Sequence, residues 1–180
     1  GLSYNLGAHV IDQAVQLFGM PEAVFADIAT LRTGGKVDDY FIIHLMKPAR
    51  MPEVKITLKA SYLMCENEPR FVLHGTEGSY VKYGLDPQEA DLTKGMLPDT
   101  PHWGEEDESQ WGILHTETDG NVVRKPYPTL PGNYAAFYEN IYQHIRNGAV
   151  LQSDACGVLG VIRLIEAAWE SSRTGNVIKL

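Results

Sequence analysis

Cysteine and long apolar runs are scarce in this sequence of 180 residues, and each scarcity excludes a class of protein. The two cysteines, Cys65 and Cys156, lack the spacing of a metal site or of a disulfide framework, so we predict reduced thiols and no bound metal. No stretch approaches the ~18 consecutive apolar residues of a membrane span, and no signal peptide opens the chain. We therefore predict a cytoplasmic protein that does not bind a membrane.

Basic residues are scarce as well. The formal net charge is −8, and Lys and Arg do not cluster. Nucleic acid is therefore not an expected partner, because neutralising phosphates requires clustered positive charge. A phosphate-binding turn is also missing: no G-x-G-x-x-G lies between a predicted strand and a predicted helix, and no P-loop occurs. On its own the chain is not expected to hold a nucleotide.

What is present is an ordinary globular composition, 44% hydrophobic and 21% charged, which at this length suffices for a sizeable core. Periodic apolar residues, bounded by glycine and proline, predict four helices. They run from Ser3 to Phe18, from Pro87 to Lys94, from Tyr134 to the residue before Gly148, and from a Ser153 cap to the residue before Gly175. In the last helix the predicted apolar stripe comprises Leu159, Ile162, Ile165 and Trp169.

Strand signals fall between these helices. The clearest is the alternation of apolar and polar residues from Val54 to Tyr62, which implies one wet face. The run from Tyr40 to Met46 is apolar at nearly every position and is expected to be covered on both faces. Further strands are predicted at Ala23 to Ile28, Phe71 to His74, Ser79 to Tyr83, Trp111 to Glu117, Val122 to Lys125 and Val177 to Leu180. This order predicts an α+β fold: a large, mostly antiparallel open sheet with helices packed on one face, and residues 1–180 as one domain.

The first helix carries a narrow polar stripe. Its residues, at positions that share one helical face, are Asn5, His9, Asp12 and Gln16. Imidazole titrates near neutrality, and a hydrogen bond to a neighbouring amide or carboxylate would fix its tautomer, so His9 is a candidate proton carrier. The alternative is that His9 is a buried structural histidine bonded to Asp12 and that Asn5 caps the helix.

Six segments, in their order along the chain, carry a resemblance to a known family. They are Leu6 to Gln13, Leu17 to Pro21, Phe71 to Lys82, Gly84 to Glu89, Tyr134 to Arg146, and Ser171 to Gly175. Together they resemble the C-terminal domain of the glucose–fructose oxidoreductase and inositol dehydrogenase family (Gfo/Idh/MocA). The resemblance implies an NAD(P)-dependent oxidoreductase that transfers a hydride between the cofactor and a hydroxyl or carbonyl of a sugar or inositol-like polyol.

The same resemblance implies which domain binds the cofactor and which binds the substrate. NAD or NADP is bound mainly by an N-terminal Rossmann domain, which also supplies a catalytic Lys and is absent from this sequence. This chain is then a substrate-binding and oligomerisation domain, inactive by itself and homo-oligomeric through the outer face of its sheet. His9 is implied to contact substrate hydroxyls and to assist proton transfer.

Family members commonly place an Asp four residues before this His, where the present sequence has Asn5. An amide can orient a hydroxyl but cannot accept its proton as a carboxylate can. We expect further substrate contacts from Asp12, which could instead bind a backbone donor, and from Lys82, which could instead be an exposed strand lysine. Two other functions stay open: a non-catalytic binding or assembly module, and a dehydrogenase of a non-sugar carbonyl such as a dihydrodiol.

Overall fold

The computed structural model describes residues 1–180, apart from the side chain of residue 118. The helices are α1 (Leu2–Phe18), α2 (Gln88–Thr93), α3 (Ala135–Asn147) and α4 (Ala155–Thr174). The strands are β1 (Pro21–Ala29), β2 (Tyr40–Pro48), β3 (Ile56–Ser61), β4 (Phe71–His74), β5 (Gly78–Lys82), β6 (Gly112–Thr118), β7 (Asn121–Tyr127) and β8 (Ile178–Lys179). The predicted helices and strands are thus confirmed, with ends that differ from the predicted ones by at most two residues.

The antiparallel α+β class is confirmed, and the strands form two four-stranded sheets. The chain divides into two compact units. Unit 1 comprises Gly1–Cys65 and Ser153–Leu180, and unit 2 comprises Glu66–Gln152.

Unit 1 is a sheet in the order β3-β2-β1-β8, antiparallel throughout, with α1 and α4 packed on one face. Its core is built from alternate strand residues and from the inner faces of the two helices, because successive side chains of a strand point to opposite faces of the sheet. The central side chains are each at most 1% exposed; they are Ile11, Val24, Phe41, Ile43 and Leu164.

Two details of unit 1 correct the predictions. In β2, Phe41 and Ile43 are buried, whereas Ile42 between them is only half-buried, because both helices lie on the same face of the sheet. The strand is therefore not fully covered on both faces. In the first turn of α4 the cap is Asp154, whose carboxylate accepts a hydrogen bond from the backbone N–H of Gly157 at 2.7 Å, and not Ser153.

The predicted apolar stripe of α4 is also wrong in part. Leu159 is 49% exposed and Ile162 is 38% exposed. The residues that α4 buries are Val161, Leu164, Ile165, Ala167, Ala168 and Ser171. Small residues such as Ala168 let the helix lie close to the sheet, so the choice between two adjacent apolar faces follows from packing distance and not from hydrophobicity alone.

Unit 2 is a meander of antiparallel hairpins in the order β4-β5-β6-β7. The buried side chain of Gln88, at the start of α2, ties its loops together. It donates to Asp86, accepts from the indole N–H of Trp103 at 2.8 Å, and accepts from the backbone N–H of Tyr134 at 2.8 Å. None of the side chains of α3 is buried; Tyr138, for example, is 71% exposed.

Candidate functional site

The polar stripe of α1 lies on its solvent-facing side. The helix buries Leu2, Gly7, Ile11 and Ala14 in the core of unit 1. This burial leaves Asn5, His9 and Gln16 exposed and Asp12 half-buried on the remaining surface. The stripe is therefore a continuous polar surface of one rigid helix, which is a suitable support for groups that must keep a fixed geometry.

His9 is exposed, and its imidazole ring makes no hydrogen bond with any other described residue. The alternative interpretation, a buried histidine bonded to Asp12, is therefore wrong. Asp12 is the acceptor of a long contact from the side-chain amide of Gln16, at 3.5 Å. Both ring nitrogens of His9 are consequently available to a ligand, which is the condition for accepting or donating a proton.

Asn5 does not cap α1. The backbone N–H of Ser3, in the first turn, donates instead to the buried carboxylate of Asp38 at 2.6 Å. The amide of Asn5 donates from Nδ2 to the phenol oxygen of Tyr62 at 3.4 Å. This contact fixes the side-chain orientation and leaves Oδ1 as a free acceptor on the same helix face as His9.

Sequence patterns did not indicate Tyr62 or Arg32 as candidate site residues. The guanidinium carbon of Arg32 lies 5.7 Å from the centroid of the Tyr62 ring, a cation–π contact. Tyr62 directly follows β3, and Arg32 lies in the connection between β1 and β2. No short-range spacing could reveal them, because the antiparallel pairing of three strands brings Tyr62 to Asn5 and Arg32 to Tyr62.

Lys82 belongs to unit 2 and is committed to contacts within it. Its ammonium group donates to the carboxylate of Glu106 at 2.6 Å, to the carbonyl of Gln110 at 2.8 Å and to the carbonyl of Tyr83 at 3.1 Å. The side chain is only 11% exposed. An ammonium group has three N–H donors, and all three are used here. Lys82 therefore has no N–H donor left for a substrate hydroxyl.

At the starts of α1 and α4, other residues already occupy backbone N–H groups that the pyrophosphate of a dinucleotide would need. Such a group needs free backbone N–H groups at the start of a helix. In α1, Asp38 occupies the N–H groups of Leu2 and Ser3 through its carbonyl and its carboxylate, and in α4, Asp154 occupies that of Gly157. Within residues 1–180, side chain 118 excepted, no group of three or more His, Cys, Asp or Glu side chains is placed to hold a metal ion.

The same described part of the chain contains the helices α1 to α4. None of its helices combines the length and the apolar character that a membrane crossing requires.

Comparison with known proteins identifies the family. The model of the C-terminal alpha/beta domain of the GFO_IDH_MocA oxidoreductase family matches residues 1–180. Scyllo-inositol 2-dehydrogenase (NADP(+)) IolW of Bacillus subtilis is 36% identical over 180 residues, which are all of this chain and 49% of that protein. The uncharacterized oxidoreductase YdgJ of Escherichia coli is 35% identical over 173 residues, which are 96% of this chain and 48% of that protein.

Solved structures have the same fold. A crystal structure of a Bacteroides fragilis protein is 62% identical with a TM-score of 0.95, and the match covers all of this chain and 53% of that one. An oxidoreductase from Bacillus cereus is 34% identical with a TM-score of 0.86, and the match covers all of this chain and 60% of that one.

This chain is an antiparallel α+β domain whose first helix carries an exposed polar stripe. It thus has the fold of the C-terminal domain of a class of oxidoreductases. The chain belongs to the Gfo/Idh/MocA oxidoreductase family. It spans about half the length of the curated relatives that it matches.

Proposed function

We propose that this chain is the substrate-binding domain of an NAD(P)-dependent oxidoreductase that interconverts a hydroxyl and a carbonyl group of a sugar or polyol. The observation that carries the proposal is His9, an exposed imidazole without an intramolecular partner, one turn from the oriented amide of Asn5. The name of the inositol dehydrogenase relative, which shares 36% identity, supports the polyol substrate.

His9 is the proposed catalytic residue. Oxidation of an alcohol removes a hydride from carbon, which NAD or NADP accepts when bound, and a proton from oxygen. A free imidazole nitrogen within hydrogen-bond distance of the hydroxyl can take that proton. Because family members supply a catalytic Lys from their other domain, we propose that His9 shares the proton with such a Lys, outside this chain.

Asn5 and Asp12 are the proposed substrate-binding residues. Since the amide nitrogen of Asn5 is engaged by Tyr62, its Oδ1 can accept a hydrogen bond from a substrate hydroxyl next to the reacting one. Asp12 is the half-buried acid of the same stripe, within one turn of His9. The cofactor, NAD or NADP, is proposed to be held mainly by the half that the relatives have and this chain lacks. Homo-oligomerisation through the sheet face remains part of the proposal.

The test is turnover by the full-length protein that contains this chain. NAD(P)H formation is followed with a panel of inositols and aldoses, for the wild type, for His9→Ala and for the control His102→Ala. His102 is a suitable control because it is an exposed histidine of unit 2. We expect oxidation of at least one polyol, a loss of about 100-fold or more in turnover for His9→Ala, and little change for His102→Ala.

Other outcomes separate the alternatives. Equal turnover by the wild type and His9→Ala would remove His9 from the catalytic site. Binding of the cofactor without oxidation of any sugar or polyol would contradict the proposed substrate class. A dihydrodiol that is oxidised would then identify a non-sugar dehydrogenase, and silence with every alcohol would identify a non-catalytic module.

A further inference from the structure

A guanidinium group lies on the same surface as the proposed site. Arg32 contacts the ring of Tyr62 at 5.7 Å, and the phenol oxygen of Tyr62 accepts from Asn5 at 3.4 Å. Asn5 and His9 are neighbours one turn apart on α1, with roughly 5–6 Å between their Cβ atoms. All four residues belong to unit 1, so the series of neighbours from Arg32 through Tyr62 and Asn5 to His9 lies within a single compact body.

The guanidinium is held in place by a buried carboxylate. Asp39 is fully buried and accepts three hydrogen bonds: from the backbone N–H of Leu31 at 2.7 Å, from the backbone N–H of Arg32 at 3.1 Å, and from Nε of Arg32 at 2.9 Å. The first of these bonds is the largest cause that holds the pKa of Asp39 below its ordinary value. Asp39 is therefore an anion that fixes one edge of the Arg32 side chain.

The other edge of Arg32 is open. Its side chain is 54% exposed, and the two terminal nitrogens make no hydrogen bond to any described residue. The cation–π contact with the ring of Tyr62 further restricts the position of the guanidinium. A planar, oriented guanidinium with two free nitrogens on one edge matches the two oxygens of a carboxylate, which it can bind in a bidentate manner.

We propose that Arg32 is a specificity-determining residue that binds a carboxylate of the substrate, so that sugar acids bind more tightly than the neutral sugars and polyols that the enzyme also accepts. The inference rests on the proposed function, because His9 and Asn5 identify the end of the site at which the reacting hydroxyl lies. In this arrangement the substrate carboxylate is several carbon atoms from the reacting hydroxyl and lies next to Arg32 and Tyr62. Asp39 and Tyr62 act as positioning residues, since they orient the guanidinium without contacting the carboxylate.

The test compares D-glucuronate with D-glucose, which have the same ring hydroxyls and differ at C6, where one has a carboxylate and the other a hydroxymethyl group. Their equilibrium binding to the full-length protein is measured by calorimetry, for the wild type, Arg32→Gln, Arg32→Lys and Arg50→Gln. Arg50 is a matched control, since it is another exposed arginine of unit 1 that donates to a carbonyl, that of Gln16.

We expect the wild type to bind glucuronate at least about tenfold more tightly than glucose, as for a hydrogen bond to a charged group. Arg32→Gln should bind the two with affinities within about twofold and keep the wild-type affinity for glucose. Arg32→Lys should keep part of the preference, because it keeps the charge but not the paired donors. Arg50→Gln should behave as the wild type does.

Three results would overturn the inference: equal affinities of the wild type for the two compounds, no measurable binding of glucuronate, or an equal loss for both in Arg32→Gln. If Arg32→Gln does not fold because Asp39 loses its partner, the wild type and Arg32→Lys still decide. Binding is read separately from turnover. A protein that prefers glucuronate through Arg32 but oxidises no alcohol would contradict the proposed function and leave this inference intact.

Discussion

Among the histidines, the contacts of the imidazole ring and the position of the residue together distinguish a candidate catalytic group. Four of them share a hydrogen bond from Nδ1 within the chain: His44 with Thr57, His74 with Ser79, His102 with Glu105, and His144 with the carbonyl of Ala149. His9 and His115 share none with the described residues, and of these two only His9 lies on the polar stripe of α1, whereas His115 lies on β6. The distinction matters because an imidazole can exchange a proton with substrate only through a nitrogen that substrate can reach.

Asn5 gives the first prediction at this scale. In the full-length protein, Asn5→Leu should raise KM for the preferred polyol or sugar acid about tenfold and change kcat less. The physical reason is that a hydrogen bond to a non-reacting hydroxyl stabilises the bound substrate and the transition state to a similar extent. Steady-state kinetics measures both constants.

The control for this prediction is Gln16→Leu, on the same face of α1 but about three turns away, where the side chain contacts Asp12. It should leave both constants close to those of the wild type. An unchanged KM in Asn5→Leu, or an equal increase in both variants, would show that Asn5 does not contact substrate.

Asp38 anchors the start of α1 and thereby sets where its polar stripe lies. Its backbone carbonyl accepts from the N–H of Leu2 at 2.9 Å, and its buried carboxylate accepts from the N–H of Ser3 at 2.6 Å. The first N–H groups of a helix have no partner within the helix, so an acceptor from outside it stabilises the helix start. The connection between β1 and β2 therefore positions the element that carries His9 and, through Asp39, also orients Arg32.

Loss of this cap is testable by denaturation. Asp38→Ala should lower the free energy of unfolding by about 1–2 kcal/mol, because a buried helix N–H loses its acceptor. Urea unfolding followed by circular dichroism measures the change. Asp27→Ala removes an exposed carboxylate from β1 and serves as the control. If the two variants are destabilised equally, the cap contributes nothing specific.

The pH dependence of stability tests the second carboxylate of this connection. Asp39 has a pKa held below its ordinary value, chiefly by the N–H of Leu31. In the unfolded chain it takes up a proton near pH 4, and in the folded chain only at lower pH. Its contribution to stability is therefore complete above about pH 4 and is lost as the pH falls toward the folded-state value.

Asp39→Asn should consequently show a smaller decrease in melting temperature between pH 6 and pH 3 than the wild type shows. Thermal unfolding at a series of pH values measures it. Asp27→Asn should keep the wild-type dependence, because the exposed Asp27 has no such acceptor role. If the plots of melting temperature against pH are parallel for the wild type and Asp39→Asn, Asp39 is not a source of the loss of stability in acid.

At the scale of the whole molecule, the chain carries only part of what the proposed hydride transfer needs. It spans about half the length of its curated relatives, and Asp38 and Asp154 already occupy backbone N–H groups at the starts of α1 and α4. Unit 1 carries the proposed substrate-binding groups, but the proposed mechanism also needs a cofactor and a catalytic Lys from outside this chain.

The isolated chain is accordingly expected to be inactive. NAD(P)H formation by purified residues 1–180, with the best substrate of the full-length protein and saturating cofactor, should be indistinguishable from the rate without protein. The full-length protein at the same molar concentration is the positive control. Turnover by the fragment would contradict the division of labour proposed here.

Helices, strands and turns were predictable along the whole chain because they depend on residues close together in sequence. Gly148 and Gly175 end α3 and α4 in the left-handed backbone region, with φ of 68° and 69°, as their positions after periodic apolar runs indicated. Asp119 and Gly120 turn the β6–β7 hairpin with φ of 53° and 74°. The polar stripe that contains His9 was predictable for the same reason, since helical periodicity alone places its residues together.

Only the tertiary structure decided which groups meet across long separations. It gave α1 its Asp38 anchor, took all three donors of Lys82 for contacts with Glu106 and two carbonyls, and brought Tyr62 to Asn5 and Arg32 to Tyr62. Side-chain spacing carries no information about these contacts, because they depend on how strands pair and how closely helices approach the sheet. The sequence by itself thus determined the elements, the family resemblance and the candidate His9, whereas packing determined which neighbours leave His9 free and which polar groups surround it.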